Sequence, residues 1–215
     1  MTTKAPGPDE TLDLSHNAGS VPNSVLAAWA RLTRLKTLYR QGWLRHGVDP
    51  ARCESVADHS FGTAILGLLL AAGPAGDFHF GGQSLDPGRI AVLALVHELG
   101  EAYAGDLTPS DGIGKAEKRR LEEEGLDRAL AGFAGKDWLK AAWLDYEEGR
   151  SPEARFIREV DKLEMGLQAA VYRSQGCQGM DEFFQSAKAG CGDRALEAVL
   201  EAAMAGSDPK SGSGA

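Results

Sequence analysis

The chain has 215 residues, which suits one domain with a real buried core better than two. Hydrophobic residues make up 43% and charged residues 25%, an ordinary globular balance that excludes a low-complexity or collagen-like chain. The formal net charge of -8 excludes the basic footprint expected of a protein that grips nucleic-acid backbone, so no nucleic-acid polymer is expected as a partner.

Residues 1–20 are rich in Pro, Gly, Asp and Thr without periodicity, and they read as a loose N-terminal segment with no apolar signal core. Over residues 24–39, Val25, Trp29, Leu32, Leu35 and Leu38 or Tyr39 recur near the helical period and predict a first helix. Gly42 and the Gly47–Asp49–Pro50 stretch break the chain. A second helix is expected from about Val56 to Ala72; it is so apolar after His59 and Ser60 that it reads as central and buried. Residues 73–88 read as a surface loop. A third helix begins near Pro87, a good first-turn residue, and runs through RIAVLALVHELGEAYA.

The segment GDLTPSDG is a turn-rich break. KAEKRRLEEEGLDRALAGF then mixes charges at helical spacing and reads as a helix with a solvated face. A helix through DWLKAAWLDYEE follows. The next, SPEARFIREVDKLEMGLQAAVYRS, has Ser151 as N-cap, Pro152 at its first position and Glu153 in its first turn. One or two shorter helices finish the domain, and GSDPKSGSGA, 206–215, reads as a disordered tail. Strand signals are nearly absent, so the fold class is all-α. Cys53, Cys177 and Cys191 form no CxxC pair and read as small buried or half-buried thiols. No apolar run approaches the roughly 18 to 20 residues needed to span a bilayer, so a soluble cytoplasmic protein is expected, with no membrane partner.

Three polar intrusions interrupt the apolar helices. His97, Glu98 and Glu101 end the third; Asp58 and His59 start the second; Asp161 lies within the long amphipathic helix. Ionisable groups there are costly unless they are paired, hydrogen-bonded or bound to a metal. Glu101 lies four residues after His97 and three after Glu98, so it shares their face. Two imidazoles and two carboxylates suit one divalent ion such as Co, Mn, Ni, Fe, Zn or Mg. The residues alone leave blander readings open: satisfied core histidines, Glu98 and Glu101 paired with arginines, and Asp161 paired with Lys162, Arg158 or Lys115. His16 and His79 read as solvated loop residues, and His46, near Trp43, as either a site or a core residue.

The runs RQGWLRHGVDPARCESVADHS (40–60), ALVHELGEAYAGDLTP (94–109) and EARFIREVDKLEMGLQA (153–169), with KAEKRRLEEE (115–124) between them, resemble the HD-domain 5′-deoxynucleotidase family. The order and spacing match over roughly residues 25 to 190, and the resemblance implies a single HD-domain helical bundle over 21–205. It implies one metal held by His59, by the pair His97 and Glu98, and by Asp161. It places the catalytic acidic residue on Glu101 and the sugar-side aspartate on Asp106. Trp43, with Arg40 or Arg45, falls in the segment that contacts the nucleotide. A homodimer is implied too. The family's His-Asp pair is His-Glu here; glutamate keeps the charge and the donor oxygens but is one methylene longer.

The implied reaction is hydrolysis of a (deoxy)nucleoside 5′-monophosphate to nucleoside and phosphate, with Glu101 as proton shuttle, Arg40 or Arg45 on the phosphate and Trp43 either stacked on the nucleotide or anchoring the core. Two alternatives stay open, both motivated by Glu98: a specialised phosphatase of a modified nucleotide or small phosphate ester, and a degenerate HD domain that binds nucleotide without turnover. A dinuclear iron oxygenase is disfavoured, because such a site needs further histidines and none follows His97.

Overall fold

The computed structural model describes residues 21–207, and every statement about what the fold contains refers to them. The expected N-terminal segment 1–20 and residues 208–215 of the expected tail lie outside the described residues. Helices dominate: α1 (Val21–Leu32), α2 (Gln41–Arg45), α3 (Val56–Ala71), α4 (Pro87–Val96), α5 (Glu101–Ala104), α6 (Lys115–Ala129), α7 (Lys136–Glu148), α8 (Pro152–Ser174), α9 (Asp181–Gly190) and α10 (Arg194–Gly206). The all-α expectation holds. No described helix is long and apolar enough to cross a membrane.

α8 organises the bundle, with α3, α4, α7, α9 and α10 packed against it. Its start follows the sequence signals: the Ser151 hydroxyl accepts from Ala154 N, and Pro152 occupies the first turn, where a missing N–H costs nothing. Its first half buries Phe156, Ile157 and Val160 against Ile90, Leu93 and Ala94 of α4 and Tyr146 of α7. Its second half buries Leu163, Ala169 and Tyr172 with Trp43, Phe184, Leu196 and Leu200. Each fully enclosed aliphatic side chain of this kind contributes about 1.5–3 kcal/mol of burial free energy. Two apolar cores thus flank the stretch of α8 that carries Asp161.

The structure departs from the sequence expectations in several places. The first helix stops being α-helical at Leu32 and continues as a 3-10 turn over Thr33–Lys36, where the Thr33 hydroxyl donates back to Ala30 O at 2.7 Å. Gly42 lies inside the short α2 instead of breaking the chain. Residues 73–88 hold a small antiparallel hairpin, His79–Phe80 with Gln83–Ser84, too short to leave a period-2 signal. α3 is not wholly buried: Phe61, Ile65 and Leu69 are 63%, 42% and 71% exposed, because the bundle covers one side of it. At the C-terminus, α10 reaches Gly206 and Ser207 is buried, held by Arg173 Nε donating to its hydroxyl at 2.8 Å. Residues 206 and 207 therefore belong to the bundle.

Candidate metal centre

The N-terminus of α3 is fixed by a capping box in which the Ser55 hydroxyl accepts from Asp58 N and the Asp58 carboxylate accepts from Ser55 N. Asp58 is thus a capping residue, and the turn it closes points His59 inward, where it is fully buried. His59 Nδ1 lies 2.5 Å from Glu164 Oε2 and Nε2 lies 3.0 Å from Asp161 Oδ1. Both carboxylates come from α8, three residues apart and so on one face. Gly62 leaves room for this: a Cβ there would stand 2.4 Å from Glu164 Oε1. Burial and Arg40 push the imidazole down, but the bonds to Asp161 and Glu164 outweigh them and raise it to about 10.

His97 caps the C-terminus of α4 and is 3% exposed. Its Nδ1–H donates to Ala94 O at 2.7 Å, which leaves the lone pair on Nε2, and Trp143 Nε1 donates to the His97 carbonyl at 3.1 Å. Burial holds the imidazole below its ordinary range, so it is neutral near pH 7. Nε2 is buried without a hydrogen-bond partner. An uncompensated buried acceptor of this kind costs about 1–3 kcal/mol unless a ligand uses it.

Glu98 Oε1 lies 3.7 Å from His97 Nε2, 4.0 Å from His59 Nε2 and 3.3 Å from Arg40 Nη1. Burial opposes its ionisation, but His97, Arg40 and Lys118 outweigh burial and hold the carboxyl at about 2. With His97 neutral, Arg40, Lys118 and His59 carry that effect at pH 7. Asp161, 5% exposed, turns Oδ1 to His59; its Oδ2 accepts from Tyr146 Oη and from Lys162 Nζ, each at 2.9 Å. Burial works against its charge too, yet Lys162 and His59 hold it well below the usual carboxylate range.

Single ligand atoms of His59, His97, Glu98 and Asp161 all lie within 4.8 Å of one another. Ligands about 2.0–2.2 Å from one ion stand roughly 3 to 4 Å apart, so only small shifts separate this cluster from a closed coordination shell. The partnerless His97 Nε2, and the second ring nitrogen of each histidine engaged by Ala94 O or Glu164, are what a divalent ion requires of its ligands. The residues fit the ion.

The chain does not run on as one helix from Pro87 to Ala104. It tightens between Val96 and Glu101, where Leu99 N bonds Val96 O at 3.1 Å and Glu101 N bonds Glu98 O at 3.0 Å. Such i to i+3 spacing eclipses side chains three apart, so Glu101 follows Glu98 into the centre. Glu101 is 1% exposed, and both its oxygens are buried without hydrogen-bond partners. Burial, with the charges of Glu98 and Asp106, pushes its carboxyl well above the usual range.

α6 closes over this turn because two glycines let the backbones touch. A Cβ on Gly100 would lie 2.3 Å from Glu122 O, and one on Gly125 would lie 2.1 Å from Gly100 O. The contact aims Lys118 and Glu122 at the centre. Lys118 Nζ stands 3.1 Å from Glu122 Oε1 and 3.8 Å from Glu101 Oε1. The expectation of a solvated α6 face fails for Glu122, which is buried, while Lys118 keeps 38% of its side chain exposed.

The nucleotide-contact candidates separate. Arg40 pairs at the centre, its Nη1 donating to Asp106 Oδ1 at 2.8 Å as well as to Glu98. Asp106 is 8% exposed and its Oδ2 also accepts from Gln41 N. Backbone pairing of Arg40 N with Glu54 O at 3.1 Å holds that segment beside α3. Arg45 turns instead to the loop after Asp106, where it pairs with Asp111 at 2.6 Å and bonds Thr108 and Ser110. Trp43 is 1% exposed, packed on Phe183 at 4.0 Å and Tyr172 at 5.2 Å, with Nε1 donating to Glu54. Its enclosure corrects the stacking expectation in favour of the anchor. His46 packs on Phe183 and pairs with Glu182, away from the ligand cluster, and His79 stands in the small hairpin, half-exposed and paired with Asp77. Cys53, Cys177 and Cys191 are free, the first and last buried.

Sequence reasoning missed Glu164, Tyr146, Lys118 and Glu122. Glu164 had a signal, its i+3 spacing from Asp161 on one helix face. Gly125 inside a charged helix was the signal for α6, since such a glycine marks a close approach. Tyr146 had none.

Comparison with known proteins gives the family. The HD domain family matches residues 32–202. The 5′-deoxynucleotidase HDDC2 of Dictyostelium discoideum is 38% identical over 163 residues, covering 72% of this chain and 83% of that protein. The human 5′-deoxynucleotidase HDDC2 is 33% identical, covering 72% and 71%. Among solved structures, the PH0347 protein of Pyrococcus horikoshii superposes with a TM-score of 0.66 at 30% identity, over 83% of this chain and 97% of that one. A protein described as a predicted metal-dependent phosphohydrolase from Magnetospirillum magnetotacticum shares the fold, with a TM-score of 0.62 at 22% identity, over 87% and 95%. By the span of the match and the identity of these relatives, the chain belongs to the HD-domain family and, within it, to the family of the 5′-deoxynucleotidases.

Proposed function

We propose that this protein is a metal-dependent phosphomonoesterase that hydrolyses deoxynucleoside 5′-monophosphates to nucleoside and phosphate. The reading rests on the convergence of two imidazoles and two carboxylates beside a buried carboxyl, Glu101, that makes no hydrogen bond. His59, His97, Glu98 and Asp161 would hold one divalent ion, and the mixed nitrogen and oxygen set suits Co, Mn, Ni, Fe, Zn or Mg. When bound, the ion supplies positive charge for the phosphoryl group and acidity for water.

The chain's own residues do the rest. Water attacks phosphorus in line, a new P–O bond forms and the bond to the nucleoside 5′-oxygen breaks. Glu101, kept protonated by burial, gives its proton to the departing 5′-oxygen, and its carboxylate accepts the proton lost by the water. Arg40 positions the nucleotide and Asp106 orients Arg40. Trp43 anchors the segment that carries Arg40. A specialised phosphatase of a modified nucleotide is the second reading, favoured by Glu98, whose Oε1 also bonds Arg40.

A phosphate-release screen of nucleoside monophosphates against Co, Mn, Mg, Ni and Fe tests the reading, run beside Glu98→Asp. Release from deoxynucleotides that a chelator abolishes is expected. No release from any nucleotide with any ion would sink the activity, and recovery by Glu98→Asp alone would favour binding without turnover.

The same reading includes a cytoplasmic location, which the three free thiols suit, and a homodimer. Phe61, Ile65 and Leu69 are exposed at successive turns of α3, and Leu95 is 50% exposed on α4 packed along it. A second copy laid against these side chains would take them out of water. Sedimentation of the wild type should give a dimer, and Phe61→Glu with Leu69→Glu a monomer of unchanged helicity. A wild type that is monomeric at tens of micromolar contradicts the dimer.

A further inference from the structure

The centre is crowded with carboxylates, and a phosphate ester brings more negative charge. Among the described residues, three lysine or arginine side chains touch those carboxylates. Arg40 is committed to Glu98 and Asp106 through a single nitrogen and is 16% exposed. Lys162 holds Asp161 Oδ2, the oxygen turned from His59 and shared with Tyr146. Lys118 is more open than Arg40 and, unlike Lys162, holds no oxygen of a metal-ligand carboxylate. Its side chain is 38% exposed, its ion pair at hydrogen-bond distance is with Glu122, and Glu101 lies 3.8 Å away, beyond one. An ammonium group has three N–H donors, and Glu122 Oε1, the carboxylate oxygen nearest it, is without a hydrogen bond, so donors remain to be aimed. The position is built, because Gly100 and Gly125 let α6 lie directly on the turn that carries Glu98 and Glu101. Residues 118, 122 and 125 share one face of that helix.

We infer that Lys118 is a substrate-binding residue that donates to the phosphoryl oxygens, with Glu122 as the positioning residue that holds its ammonium over the centre. The inference rests on the phosphatase reading and adds to it the cation that meets the phosphate, the role the sequence assigned to Arg40 or Arg45. Burial works against the Lys118 charge, but Glu98, Glu122 and Glu101 keep it protonated across the working range.

The test uses the full chain loaded with Mn. Binding of inorganic phosphate is measured by calorimetry, and KM and kcat are measured with a deoxynucleotide. Lys118→Met should weaken phosphate binding about tenfold or more and raise KM in parallel, with ion content and thermal melting unchanged. Lys118→Arg should restore most of both, and Glu122→Gln should show a smaller loss of the same kind. If the Met variant does not load the ion, Lys118→Gln, which keeps a polar group beside Glu122, carries the same comparison. Phosphate bound as tightly without the ammonium as with it overturns the inference, as does a change in the pH profile alone. Because phosphate binding is read without turnover, a wild type that releases phosphate from no nucleotide would end the activity reading while leaving this comparison decisive.

Discussion

Glu101→Gln should lower kcat by about 100- to 10,000-fold, the usual contribution of a positioned acid–base group, while the ion content stays that of the wild type. The reason is geometric. Glu101 lies beside the ligand cluster but outside it, and both of its oxygens are buried with no hydrogen-bond partner to hold a fixed charge. Burial, then Glu98 and Asp106, raise its carboxyl, so the protonated form prevails at neutral pH. A raised acid loses its proton as pH climbs, so the wild type should lose activity on its alkaline side through this group. Glutamine cannot titrate, and the residual activity of the variant should lack that limb. Normal turnover by Glu101→Gln would show the assigned role to be wrong.

Asp161→Asn is the second large effect. It removes an anionic ligand and the partner that turns His59 Nε2 inward at 3.0 Å, while Tyr146 and Lys162 keep an oxygen to bond. Outer partners of metal ligands alone are worth about 10- to 100-fold in affinity, so loss of a direct ligand should exceed the upper end of that range. Stability reports the same loss. An ion at 100 times its Kd stabilises the folded state by about 2.7 kcal/mol, which raises the wild-type melting temperature on metal addition. The Asn variant should show no such rise at the same concentration. An equal rise in both proteins would remove Asp161 from the ligand set.

Most of the helices were legible because their causes are local. Ser151 and Pro152 open α8, the Ser55 and Asp58 capping box opens α3, and Pro87 opens α4. The ligand residues stood out as ionisable side chains in apolar helices, and their meeting was then implied by family resemblance, since nothing local tells His59 that Asp161 lies 3.0 Å away. Where the sequence misled, a tertiary effect won over a local pattern. α6 reads as a solvated charged helix, yet the approach of Gly125 to Gly100 turns Lys118 and Glu122 inward. α3 reads as buried all round, yet one side of it is bare at Phe61 and Leu69. Arg40 and Arg45 are equivalent in sequence; pairing to Asp106 or to Asp111 separates them.

The most direct measurement is X-ray absorption on the purified protein titrated with Mn or Co, with the bound ion counted per chain. The account predicts one ion per chain, with two imidazole nitrogens and carboxylate oxygens at about 2.0–2.2 Å. A chain that takes up no ion, or one whose ion has no imidazole in its shell, would contradict it.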